Sequence, residues 1–155
     1  MSSEIVFHPY CDLIERLKKE LDTHGKLVIG FDNTIFDVHN RGGNYKEVID
    51  ILQRCKKHGW ILCLYTAELR EDWLQWKVGF CKHFGIEPDY VNESPLLKGT
   101  KKPFFNLLLD DRAGLQSAYI ILKNVLDYAD SKSKEKSDID YSISRWGSSN
   151  NSWGI

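Results

Sequence analysis

Six residues in this sequence have the types and positions that phosphate chemistry needs: Asp32, Thr34, Thr66, Lys102, Asp110 and Asp111. Each borders a short apolar run. Leu27-Val28-Ile29-Gly30-Phe31 runs into Asp32, Leu62-Cys63-Leu64-Tyr65 into Thr66, and Leu107-Leu108-Leu109 into Asp110-Asp111, while Lys102 precedes the last run. Carboxylates beside a hydroxyl and an ammonium suit a divalent cation together with a phosphate. Mg²⁺ takes hard oxygen ligands and is usually held by one or two carboxylates plus substrate oxygens. Lys and Thr can then hold phosphoryl oxygens as charge develops on them. Taken singly these residues are ordinary: Asp and Thr at a strand end are often turn formers or helix caps, and a lone Lys usually faces solvent. Adjacent acids after a leucine run are less common, because two carboxylates repel unless a cation sits with them. The signal is the order of the whole set.

The elements that must position these residues can be read from patterning. Unalternating apolar runs of four to six residues read as strands buried on both faces. Three follow from this, Leu27–Phe31, Trp60–Tyr65 and Phe105–Leu109, and Asp89–Val91 is expected as a further, shorter strand. Helical spacing marks Pro9–Thr23, Tyr45–Lys57, Glu68–Phe84 and Gly114–Tyr128, with Gly25, Gly59 and Gly85 as stops. Strands alternating with helices imply a parallel sheet with right-handed crossovers and helices on both faces. Ligands of such sheets bind outside the carboxyl ends of the strands, where the polar set collects. Trp73, Trp76 and Phe80 are expected in the core. Residues 1–130 are expected to form one α/β domain. Residues 131–155, rich in Ser, Lys and Asn, are expected to be a loosely ordered polar tail whose Trp146 and Trp153 dock on the domain.

Composition excludes some partners. The 155 residues carry 21 Lys and Arg against 22 Asp and Glu, a formal net charge of -1, with the signs mixed. Nothing there favours nucleic acid or an anionic membrane surface. No apolar run approaches membrane-spanning length, and the N-terminus has no basic segment followed by an apolar one. The four cysteines form no Cys-x-x-Cys pair, and no zinc pattern surrounds them. Reduced structural cysteines in a cytoplasmic protein are expected.

The ordered set resembles the haloacid-dehalogenase-like (HAD) phosphohydrolase superfamily. Gly30-Phe31-Asp32-Asn33-Thr34 is similar to its first motif, Asp-x-Asp-x-Thr after an apolar strand. Thr66 resembles the second-motif Thr or Ser, Lys102 the third-motif lysine, and Asp110-Asp111 the fourth-motif acid pair. Val91-Asn92-Glu93-Ser94-Pro95 and Asp110-Asp111-Arg112-Ala113-Gly114 resemble a group of small bacterial and phage members of unsettled substrate. The likeness covers residues 26–115 and implies a Rossmann-like three-layer sandwich around a central parallel sheet. The intervals Phe36–Asn44 and Asn92–Lys102 are too short for a cap domain, and such an open site suits either a bulky substrate, such as a nucleotide end or a phosphoprotein, or a lid supplied by a second copy in a homo-oligomer.

Carried over, the resemblance makes Asp32 the acid/base, with Asp32, Asp110 and Asp111 holding Mg²⁺. Thr66, Lys102 and Asn33 would bind phosphate, and the partner would be a small phosphate ester or nucleotide. The nucleophile position is Gly30, which has no carboxylate to attack phosphorus. Loss of a nucleophile costs on the order of 10⁴–10⁶-fold in turnover. The expectation is a Mg²⁺-dependent phosphomonoester hydrolase scaffold that is inactive or strongly impaired as written. The alternative is a silent phosphate- or nucleotide-binding regulatory protein. A receiver domain also groups Asp, Thr and Lys at strand ends, but its acid pair follows the first strand rather than the last. An unrelated α/β domain with Gly30 as a packing residue is disfavoured, since a strand-interior glycine costs about 0.5–1 kcal/mol relative to Ala.

Overall fold

A computed structural model describes residues 10–32, 35–36, 45–96, 99 and 101–149. Four strands, β1 (Val28–Asp32), β2 (Ile61–Leu64), β3 (Tyr90–Val91) and β4 (Leu107–Asp110), form one sheet in the order β3-β2-β1-β4. Every pairing is parallel. Four helices, α1 (Tyr10–His24), α2 (Lys46–Lys57), α3 (Glu71–His83) and α4 (Leu115–Ser149), complete the described chain.

The apolar runs form strands because their side chains can be buried. Ile29, Phe31, Leu62, Leu64 and Leu109 are all fully buried and, by the two-residue pleat, share one face of the sheet. Leu52 and Cys55 of α2 and Leu122, Val125 and Leu126 of α4 complete that core. α1 and α2 both pack on α4, which packs on β4. α3 is tied to α2 by Gln53, whose side-chain amide donates to the Phe84 carbonyl at 2.7 Å. The described helices therefore lie on one side of the sheet. Gly59 and Gly85, expected as helix stops, follow α2 and α3 with positive φ of 72° and 70°, a backbone that side chains disfavour.

Two expectations differ from the structure. The three-layer arrangement called for helices on both faces. Among the described residues, Tyr65 lies against Gly30 on the second face, which also carries Cys63 and Leu108, and is tied to the Phe104–Phe105 segment. The interval 92–106 that returns the chain from β3 to β4 contains no described helix to make that layer. The segment from residue 131 was expected to be loose, yet α4 continues through it to Ser149. Ser, Lys and Glu there suit a solvated helix, and no Gly or Pro interrupts residues 115–146. Residues 150–155, with Trp153, lie outside the described set. No described helix is long and apolar enough to cross a membrane. Cys55, Cys63 and Cys81 are buried free thiols.

Candidate functional site at the strand ends

The parallel register brings the expected acids together. Asp32 and Asp110 are direct Cα partners at the ends of β1 and β4. Neighbouring strands lie about 4.8 Å apart, and paired residues project to the same face. Asp110 also shapes its own turn: its Oδ1 accepts the Arg112 N–H at 2.8 Å, and its carbonyl accepts that of Ala113 at 3.0 Å. Asp111 is exposed in that turn. Asn33 and Thr34 lie outside the described residues.

Thr66 stands beyond the end of β2 and is held from three directions. Its backbone N–H donates to Asn92 Oδ1 at 2.8 Å. Its Oγ1 accepts the Glu68 N–H at 3.2 Å and the Lys77 ammonium at 2.8 Å. Asn92, at the end of β3, has φ of 53°, a left-handed backbone that Asn tolerates better than most residues. The fold thus places a strained Asn where its side chain fixes the Thr66 backbone.

The amine that meets Thr66 belongs to Lys77, which the sequence reading passed over. Lys102, the expected phosphate lysine, is exposed in the segment entering β4. Lys77 is only 7% exposed, the one buried charged residue named among the described core. Its Nζ lies 3.9 Å from the buried Oδ1 of Asp32, close enough for strong attraction but too long for a direct hydrogen bond. The Phe36 ring centroid is 5.6 Å from the same Nζ. α3 carries this lysine in a row with Cys81, one turn on and also buried. A lone Lys in an otherwise apolar helix row was the available signal.

Gly30 is crowded. A Cβ built there would meet Leu108 Cδ1 and Tyr65 Cδ2 at 3.0 Å and Tyr65 Cε2 at 3.1 Å. The Tyr65 ring is tethered, because its hydroxyl donates to the Phe104 carbonyl at 2.8 Å. Burial, aided by the neighbouring Cys63, pushes the Tyr65 hydroxyl well above its usual titration range. A side chain at position 30 would therefore press on two neighbouring side chains, each of which must give by a few tenths of an ångström.

Beside Lys77 opens a cleft of about 1000 Å³, lined among others by Phe36, Thr66, Arg70, Trp73, Trp76 and Phe80. That is the upper range for small-molecule sites. Trp73 and Trp76, expected in the core, are 44% and 52% exposed and form its wall. Their helical spacing is real, but α3 turns that stripe toward the cleft rather than the sheet. At the rim Glu68 accepts two side-chain bonds from Arg70, both 2.9 Å, which hold its carboxyl down at about 2.

Among the described residues no three His, Cys, Asp or Glu side chains gather as a metal cluster. Mg²⁺ does not require that, since it keeps several waters and commonly uses one or two carboxylates. Asp32 and Asp110, paired in register, meet this smaller demand.

Comparison with protein-family models, with curated proteins and with solved structures finds no match to this chain.

Proposed function

We propose that this chain recognises a small phosphate ester or nucleotide at the ends of β1, β2 and β4 and does not hydrolyse it. The reading joins the resemblance to HAD phosphohydrolases with what surrounds position 30. One observation carries it: the nucleophile position has no carboxylate, and a Cβ there would already press on Tyr65 and Leu108 at 3.0 Å. The neighbouring groups suited to phosphate are still assembled. The Lys77 ammonium and the Thr66 hydroxyl are 2.8 Å apart, and both can donate to phosphoryl oxygens. Asn92 sets the Thr66 backbone, so one donor is fixed before ligand arrives. Asp32 and Asp110 would hold Mg²⁺, which would supply charge neutralisation between carboxylate and phosphate.

Titration calorimetry with inorganic phosphate, with and without Mg²⁺, tests this reading. The unmodified chain should bind and the Lys77→Met variant should bind at least tenfold more weakly. Equal binding by the two proteins removes Lys77 from the site and the reading with it.

A second reading, an active Mg²⁺-dependent phosphomonoester hydrolase with Asp at position 30, draws support from the Asp32–Asp110 register. It requires Gly30→Asp to restore turnover, and the crowding there requires Leu108→Ala alongside to make room.

A further inference from the structure

Exposed tryptophans are costly, and contiguous exposed aromatic surface usually marks a binding site. Along α3, Trp73, Trp76, Phe80 and Phe84 form a continuous series of ring contacts, each centroid 4.8–5.8 Å from the next. The buried Phe36 joins this series, 5.6 Å from Trp76 and 5.0 Å from Phe80. Phe36 is also the ring beside Lys77 Nζ, so the aromatic wall begins where the Lys77–Thr66 pair ends. Trp73 already carries the Arg70 guanidinium at 5.1 Å from its ring centre, and that guanidinium is held by Glu68. Trp76 has three ring neighbours, yet remains half exposed in the cleft wall.

We propose that the cleft binds the flat aromatic base of a nucleoside monophosphate, stacked on Trp76, with its phosphate at Lys77 and Thr66. The phosphate half of this assignment rests on the function proposed above; the base half rests on the aromatic wall alone. A nucleoside monophosphate has a flat ring at one end, a dianion at the other and a single sugar between. In the cleft the Phe36 ring links the two ends, 5.6 Å from the Trp76 ring and 5.6 Å from Lys77 Nζ. The described charged lining, Glu68 and Asp72 against Arg70 and Lys77, sums to zero and offers no surplus positive charge for a longer phosphate chain.

Calorimetric titration of the whole chain with adenosine 5′-monophosphate, ribose 5-phosphate, inorganic phosphate and adenosine separates the two halves. The monophosphate should bind about tenfold tighter than ribose 5-phosphate, within the range for one base stacked on one aromatic side chain. Trp76→Ala should abolish that difference and leave inorganic phosphate affinity unchanged, while Trp76→Phe should retain part of it. Trp76 is half exposed, and Trp76→Phe keeps a ring against the buried Phe36, so a loss shared by both variants would report packing rather than base stacking. Equal binding of the nucleotide and ribose 5-phosphate overturns the base site while the phosphate reading stands. Binding of adenosine without inorganic phosphate overturns the phosphate reading and, with it, the monophosphate assignment. If Trp76→Ala alters only the oligomeric state measured by light scattering, the wall is a contact between copies and the base site is overturned.

Discussion

Replacing Gly30 with alanine tests whether the nucleophile position is closed or merely empty. The added carbon would stand 3.0–3.1 Å from Leu108 Cδ1 and two Tyr65 ring atoms. Carbon contacts are best at about 3.5–4.0 Å, so both neighbours must retreat by roughly half an ångström. Leu108 Cδ1 is the end of a flexible, partly exposed side chain and can yield. The Tyr65 ring is held by its bond to the Phe104 carbonyl and yields less readily. Overpacking of this kind costs about 1–3 kcal/mol. Against it stands a gain of about 0.5–1 kcal/mol from removing a strand glycine. The net expectation is a destabilisation of about 1 kcal/mol, a fall in Tm of about 2–4 °C for a chain of this length. Thermal denaturation followed by circular dichroism measures it. In a Leu108→Ala background one of the two obstructing side chains is gone, so the same substitution should cost roughly half as much. A Gly30→Ala variant more stable than the parent would refute the reasoning. It would mean the pocket around position 30 is open and glycine alone accounts for the missing carboxylate.

Further substitutions probe the other contacts. Lys77→Met removes the Thr66 bond and the ammonium facing Asp32, and should cost about 1–3 kcal/mol in urea denaturation. Asn92→Ala loses the bond to the Thr66 N–H and forces alanine into a left-handed backbone, so it should destabilise by about 1–3 kcal/mol; Asn92→Gly relieves the backbone strain and should cost less. Asp130 joins α4 to α2: burial alone would raise its carboxyl, but hydrogen bonds from Arg54 and His58 prevail and hold it below the ordinary value of 3.8. A depressed carboxyl contributes stability that is complete above its unfolded value and lost as pH falls through the folded one. The acid unfolding midpoint below about pH 4 should therefore move upward in Arg54→Ala. Burial pushes the Cys55 thiol up to about 12, so iodoacetamide should label it only after denaturation.

The parts of the fold that were legible are those whose local chemistry and global role coincide. Leu27–Phe31 and Leu107–Leu109 read as buried strands because nearly every residue in them is buried. That Asp32 and Asp110 both end such runs placed them on one rim of the sheet, but that their strands are neighbours was not legible in either run. Other features depend on tertiary arrangement that no local pattern carries. The crowding of Gly30 requires the register that sets it beside Cys63 and Leu108 and brings Tyr65 over it. Trp73 and Trp76 recur at helical spacing, which says that they share a face of α3 but not which way that face turns. Lys77 was hidden among aromatic neighbours that suggested core, and Lys102 drew attention by its place before β4. The course of α4 past residue 131 was obscured by composition, since Ser and Lys serve a disordered tail and a solvated helix alike.

Phosphorus NMR of a phosphate monoester mixed with the protein and Mg²⁺ tests the central claim most directly, because it reads binding and cleavage in one spectrum. The account predicts that the ester resonance shifts or broadens as protein is added and that no inorganic phosphate accumulates. Inorganic phosphate growing beyond the amount of protein present would contradict it, as would an ester resonance that the protein leaves unchanged.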